Sequence, residues 1–286
     1  MQHHPAIASG RTAVITGGAS GIGLAAGLRL AGLGLNVVLA DLAGERLEAA
    51  RVAVERAAVD GGAPDGAAVV RAIPTDVGRI EDLRALKDAV YEAFDDVALL
   101  MNNAAIDPVG KPWEDYEDWQ RLMAVNLWGV INGVQAFAPA MLAAGKPAAI
   151  VNTGSKQGIT TPPGNAAYNV SKAGVKVFTE ATAYELRQTL HAEVSAHLLI
   201  PGFTYTGLTK ANEKPAAAWT GEQVVDFMLA AMASGEFYIL CPDNDVDRAT
   251  DEKRMVWAMG DIIQNRPALS RWHPDFKEAF SRFMAE

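Results

Sequence analysis

Thr16-Gly17-Gly18-Ala19-Ser20-Gly21-Ile22-Gly23 is the stretch on which the fold turns. It comes after an apolar run at residues 12–16 and opens a segment of helical period at 22–31. Glycine serves where the backbone turns sharply or must approach a ligand closely. A helix beginning there offers unpaired N–H groups and a partial positive charge, which together hold a pyrophosphate. A plain strand-to-helix turn uses similar residues, so the loop has to be weighed together with the second apolar run of the chain.

Asp41 closes that second run, 18 positions after Gly23. A carboxylate there accepts hydrogen bonds from both adenosine ribose hydroxyls and repels a 2′-phosphate. Read alone, it serves equally as a helix cap or a solvated strand end. The two positions where a 2′-phosphate would want a cation are Ser20 and Leu42, and neither is basic. The combination favours NAD over NADP.

Outward from the loop, short apolar runs alternate with helical periods. Strands are expected at residues 12–16, 36–40, 67–73, 98–101, 148–152, 194–200 and 237–240. Helices are expected at 22–31, 44–58, 79–94, 116–143 and 167–190. The strands are apolar on both faces, as in sheets covered by helices on each side. Right-handed crossovers then give an α/β fold with an open, doubly wound parallel sheet. Residues 57–68, rich in Gly, Ala and Asp, read as a surface loop. Residues 204–234 read as loop and short helices, and two further helices are expected at 248–263 and 274–284.

Half of the 286 residues are apolar and the net charge is −9. An acidic chain with no basic cluster is poorly suited to nucleic acid or an anionic membrane surface. No apolar run is long enough to span a bilayer and the start lacks a signal peptide's apolar stretch, so a cytoplasmic protein is expected. The single cysteine, Cys241, excludes an intrachain disulfide and reads as an inert thiol. His3 and His4 read as a frayed end, and no metal site is expected.

Tyr168 and Lys172 lie four apart, so on a helix they share a face. A neighbouring ammonium lowers a phenol from its ordinary value of about 10, at about 1.4 kcal/mol per unit. A phenol tuned in this way can give or take the proton of a carbinol oxygen. A Tyr and a Lys at this spacing are, on their own, more often a plain helix surface.

Their company changes that. The loop at 16–23, Asn102-Asn103-Ala104-Ala105, Asn126, Ser155 thirteen before Tyr168, the Tyr168 and Lys172 pair, and Pro201-Gly202 occur in one order. In order and spacing the chain resembles the short-chain dehydrogenase/reductase family over about residues 10–242. The resemblance implies a Rossmann-type sheet and an oxidoreductase that moves a hydride between NAD(H) and a secondary alcohol/ketone pair. It implies Tyr168 as general acid/base and Ser155 as the group that orients the substrate oxygen. Lys172 would hold the nicotinamide ribose and tune Tyr168, and Asn126 would keep a water in a proton relay. Gly17, Ser20, Gly21, Ile22, Gly23, Asp41 and Leu42 would hold the adenosine and phosphates, with Asp76, Val77, Asn103 and Ala104 beside them. Pro201, Gly202 and Thr206 would border the nicotinamide. Asp76 also reads as a helix cap, and Asn126 as a residue bonding backbone across a helix kink.

Ser155, Gln157 and Phe203 are the expected substrate contacts. Phe203, Tyr205, Leu208 and Trp219 either wall the pocket or pack a lid on the sheet. Lys156 reads as a solvated side chain or as a contact for an anionic substrate group. Residues 1–242 are expected to form one dinucleotide-binding and catalytic domain, with 243–286 a helical extension packed on it. Apolar residues of that extension, Met255, Trp257, Met259, Ile262, Ile263, Phe276, Phe280 and Phe283, call for cover. A homodimer through residues 116–143 and 167–190 is favoured over a homotetramer. The strand at 237–240 with its tail is similar to bacterial members that oxidise benzylic carbinols of aryl ethers. An NADPH-dependent biosynthetic reductase and a non-catalytic NAD-binding sensor are the competing readings.

Overall fold

Strand β1 (Thr12–Thr16) is buried at every position, because helices cover both of its faces. The computed structural model describes residues 3–61, 68–108, 110–209 and 211–286. After β1 come α1 (Gly21–Gly32), β2 (Asn36–Asp41), α2 (Glu45–Asp60), β3 (Val70–Pro74), α3 (Ile80–Ala93) and β4 (Leu99–Asn102). The second half runs α4 (Tyr116–Met123), α5 (Gly129–Ala143), β5 (Ala148–Thr153), α6 (Gln157–Thr160), α7 (Ala166–Gln188) and β6 (Val194–Ile200). It closes with α8 (Gly221–Ala233), β7 (Tyr238–Leu240), α9 (Arg248–Ile263) and α10 (Lys277–Ala285).

The strands form one parallel sheet of order β3-β2-β1-β4-β5-β6-β7. This is the Rossmann-type, doubly wound arrangement. Strand order reverses between β1 and β4, and such a reversal opens a crevice at the carboxyl ends of the strands. The glycine loop leaves β1 at that crevice. One apolar core packs α1, α2 and α8 on one face of the sheet. A second packs α3, α5 and α7 on the other.

A buried polar chain fixes α7 to the sheet. Asn102 pairs with Asn152 in the β4–β5 register, and its Nδ2 donates to Asn152 Oδ1 at 2.8 Å. Asn152 Nδ2 donates to Thr179 Oγ1 on α7 at 3.0 Å. Buried amides with partners resist sliding, so the register of Tyr168 and Lys172 against the strand ends is set.

Several expectations change. Residues 116–143 are helical throughout, as expected, but a π-helical turn, Ala124–Trp128, divides the α-helix around the buried Asn126. Residues 204–234 contain a full helix, α8, started by a reciprocal capping box between Thr220 and Gln223. The loop expected at 57–68 lies partly outside the described residues, and α2 runs on to Asp60. His4 is no frayed end: its ring stands edge-on to His197, with centroids 5.5 Å apart, and its Nε2 is 3.3 Å from Ser195 Oγ.

The extension divides its apolar residues. Trp257 is buried, with Phe280 and Phe283 against its ring and Arg266 stacked 4.1 Å over it. Met255 packs on the core beside Leu240 and Ile200. Met259, Ile262 and Ile263 remain exposed, contrary to the expectation that these residues are covered.

Among the described residues no helix is long and apolar enough to cross a membrane.

Candidate active site

Gly17 has φ of +66°, and a Cβ there would meet Ala104 Cα at 2.7 Å. A Cβ at Gly23 would lie 2.2 Å from the Gly17 carbonyl oxygen. The loop therefore admits only glycine at both positions and lies flat against the end of β4. Asn103 secures it: its N–H donates to Thr16 Oγ1 at 2.9 Å and its Nδ2 to Thr16 O at 3.2 Å. Ala104 N–H also reaches Thr16 Oγ1, at 3.3 Å.

The N-cap residue Ser20 makes no side-chain cap bond, and the first turn of α1 carries no acidic residue. The leading N–H groups and the positive helix end thus face the crevice without a competing protein anion, which fits a dinucleotide pyrophosphate. Ile22 turns its side chain into the core, so only its backbone can meet a ligand.

Asp41 sits at the end of β2. Its Oδ2 accepts Ala19 N–H at 3.0 Å and its Oδ1 accepts Leu42 N–H at 2.8 Å. Leu42 is exposed beside it. Neither Ser20 nor Leu42 is a cation, as the sequence indicates, but Arg46 Nη2 lies 3.7 Å from Asp41 Oδ1. The first turn of α2 delivers this guanidinium, four residues beyond Leu42.

Asp76 Oδ1 accepts Gly78 N–H at 2.9 Å, so one carboxylate oxygen works as a turn cap. Val77 is buried against Gly129 and can offer only backbone to an adenine.

Ser155 lies just past β5; its Oγ accepts Gln157 N–H at 3.1 Å, and its hydroxyl acts to lower the Tyr168 phenol. Gln157 itself starts α6. Tyr168 lies in the first turn of α7, whose N-cap Asn165 accepts Tyr168 N–H on its Oδ1 at 3.2 Å. Lys172 is buried one turn on, where its Nζ donates to Thr153 O at 2.8 Å and stands 5.6 Å from the Tyr168 ring centroid. The three predicted side chains are thus gathered in one place.

Burial governs the protonation of both side chains when no dinucleotide is bound. Burial pushes the Tyr168 phenol up to about 12, with the nearby Asp107 charge adding to the rise and the Ser155 bond opposing it. Burial pushes the Lys172 amine down to about 8, against the Asp107 charge. Lys172 is turned to the Thr153 carbonyl, and burial sets the phenol's direction.

Asn126 is fully buried in the π turn. Its Oδ1 accepts Ile106 N–H at 2.8 Å and its Nδ2 donates to Ile106 O at 3.0 Å. Its Nδ2 also lies 3.4 Å from Ser171 Oγ, which in turn donates to Tyr168 O. Asn126 therefore clamps the backbone of residue 106 and is not joined directly to Lys172.

The segment after β6 closes the other side. Thr206 lies over the glycine loop, its Cγ2 3.0 Å from where a Gly21 Cβ would stand. Pro201 is half-buried, and a Cβ at Gly202 would meet Asp243 Oδ2 at 2.8 Å and Lys156 Nζ at 2.9 Å. Phe203 N–H donates to Asp243 Oδ2 at 3.1 Å, while its ring is exposed. Trp219 packs on Phe227 and the α1/α8 core, so it is a lid-packing residue and not a pocket wall.

Lys156 is neither solvated nor free for a substrate anion. Its Nζ is 2.5 Å from Asp251 Oδ2 and 3.4 Å from Asp243 Oδ2. Sequence reasoning missed this pairing, along with Arg46 beside Asp41 and Asp107 beside Tyr168. It also missed Asn165, though an Asn just before a helical run is a start signal.

Residues 11–217 match the family model for short chain dehydrogenases. A 1-deoxy-11-beta-hydroxypentalenate dehydrogenase of Streptomyces exfoliatus is 31% identical over 92% of this chain and 94% of its own. A short chain dehydrogenase/reductase of Burkholderia phymatum, solved in complex with NAD, superposes with a TM-score of 0.78 at 31% identity, covering 91% of this chain and 96% of that one. A metagenomic short-chain oxidoreductase solved with NADP gives a TM-score of 0.66 at 30% identity, covering 82% and 98%. With its glycine loop, parallel sheet and gathered Ser155, Tyr168 and Lys172, the chain belongs to the short-chain dehydrogenase/reductase family of oxidoreductases.

Proposed function

We propose that this oxidoreductase works with NAD on a secondary alcohol/ketone pair, with Tyr168 as its acid/base. The observation that carries the reading is the placing of Ser155, Tyr168 and the buried Lys172 together at the crevice, with Lys172 Nζ 5.6 Å from the Tyr168 ring centroid. When bound, the dinucleotide supplies the hydride acceptor for oxidation or the donor for reduction. The rest is work for the chain's own residues. In oxidation, phenolate at Tyr168 takes the carbinol proton; in reduction, the phenol returns it to the ketone oxygen. Ser155 Oγ hydrogen-bonds the same oxygen and orients it. Lys172 holds the nicotinamide ribose, and Asn126 supports the site through Ile106. Gln157 and the exposed ring of Phe203 border the substrate, whose apolar part they suit.

Asp41 supports NAD, because its carboxylate repels a 2′-phosphate. Arg46 favours the second reading, an NADPH-dependent reductase, since a guanidinium can pair with that phosphate. A non-catalytic NAD sensor has no need of the buried Lys172 beside Tyr168. Exposed Trp128, and Val177 and Tyr184 on α7, support pairing of two copies through α5 and α7. The extension, residues 243–286, acts as part of the catalytic unit through Lys156.

The test is a spectrophotometric screen of aryl, alicyclic, steroid and sugar alcohols with NAD and with NADP. Turnover of a secondary alcohol with NAD supports the reading. Dinucleotide binding without turnover across the panel would favour the sensor.

A further inference from the structure

Asp107 stands between two fixed points. On one side, both backbone polar groups of Ile106 are held by the fully buried Asn126 side chain, at 2.8 and 3.0 Å. On the other, Asn165 Nδ2 donates to Asp107 Oδ1, while Asn165 Oδ1 accepts the Tyr168 N–H. One continuous chain of contacts thus runs from the π turn through residues 106, 107 and 165 to the start of the helix that carries Tyr168 and Lys172. A carboxylate locked in this way has little freedom to swing into solvent and be screened.

We propose that Asp107 is a positioning residue for the reaction, a fixed negative charge that biases the Tyr168 and Lys172 pair toward its phenol–ammonium form, against the positive charge of the oxidised cofactor. This deepens the reading of Tyr168 as the acid/base and rests on it. The Asp107 charge bears on both groups. Ser155 faces the phenol with a neutral hydroxyl, and Lys172 faces the Thr153 carbonyl. A negative charge disfavours phenolate and favours ammonium, so its sign is the same for both: it holds protons on. The positive charge of an oxidised nicotinamide acts in the opposite direction and offsets it. Burial and this charge together keep the phenol of the free enzyme protonated, and the oxidised nicotinamide acts against both.

The experiment titrates the phenol directly. Phenolate absorbance is followed in stopped-flow pH jumps, and the Tyr168→Phe trace is subtracted so that one of the chain's six tyrosines is read. Asp107→Asn keeps an oxygen for Asn165 and removes the charge; Asp107→Glu keeps the charge. The midpoint of Asp107→Asn is expected to fall by ~1 pH unit, and that of Asp107→Glu to stay near the parent's. NAD at saturation is expected to lower both midpoints, leaving that of Asp107→Asn below the parent's. An unchanged midpoint in Asp107→Asn, with only a raised KM for the alcohol, would make Asp107 a plain substrate contact and overturn the inference. Normal turnover by Tyr168→Phe would instead remove the reading beneath it.

Discussion

Lys156 Nζ lies 2.5 Å from Asp251 Oδ2, and both side chains are largely buried. Lys156 is the neighbour of Ser155; Asp251 is in the first turn of α9. The same amine reaches Asp243, whose carboxylate also accepts the Phe203 N–H. One cation therefore ties the catalytic turn, the segment after Gly202 and the C-terminal extension together.

Removing that cation leaves two carboxylates buried with too little positive charge. Lys156→Met is expected to destabilise the fold by about 3 kcal/mol at neutral pH, read by denaturant unfolding. Burial already raises the Asp251 carboxyl above its ordinary value, and Lys156 and Arg254 oppose that rise. A raised folded pKa favours the protonated native state. The penalty in the variant is therefore expected to shrink as pH falls through the raised folded value of Asp251 toward the ordinary Asp value, where the native carboxyl takes up its proton. A deficit that does not change with pH would contradict this account.

Cofactor choice should track two side chains of unequal weight. Asp41→Ala is expected to raise NADP affinity roughly tenfold, since a carboxylate facing the phosphate is lost. Arg46 is largely exposed and screened, so Arg46→Ala is expected to lower NADP affinity only about threefold. Titration of each variant with both dinucleotides reads the result. Equal affinities for NAD and NADP in the parent would show that Arg46 cancels Asp41.

The loop glycines permit no side chain. Gly23→Ala brings a methyl within 2.2 Å of the Gly17 carbonyl oxygen. Binding of NAD should weaken roughly hundredfold, about 2.7 kcal/mol, by isothermal titration. The unfolding midpoint should change far less. Retained affinity would mean that the pyrophosphate is held elsewhere.

The raised phenol sets the pH behaviour. With its value pushed up to about 12, Tyr168 stays protonated across the neutral range. Ketone reduction uses that proton, so its kcat/KM is expected to stay flat from about pH 6 to 8. Alcohol oxidation needs the phenolate and is expected to climb with pH over the same span. Reduction that climbs with pH while oxidation stays flat would contradict the assignment of the proton to Tyr168.

Much of the fold and site was legible in the sequence, for a definite reason. β1, β4 and β5 are buried on both faces, so each is a largely apolar run. The glycine loop, Ser155, Tyr168 and Lys172 are local signals whose chemistry travels with their spacing. Other features depend on distance through space. Lys156 meets Asp243 across 87 residues, and Asn165 meets Asp107 across 58, and nothing at either end announces the other. The phenol's upward shift is a burial effect, and burial depends on what packs around the side chain in space rather than on its sequence neighbours. Helix α8 is a different case, since Thr220 and Gln223 spelled a capping box before an apolar run. Exposed Ile262 and Ile263 show the limit of the rule that apolar residues need cover within their own chain.

The central claim is that the hydroxyl of Tyr168 carries the proton of the reacting carbinol. Tyr168→Phe deletes that oxygen and keeps the ring beside Lys172. With an alcohol found by the screen, NADH formation should fall by about a hundredfold or more, while NAD binding by titration stays within about threefold of the parent. Turnover at the parent's rate with NAD still bound would contradict the account.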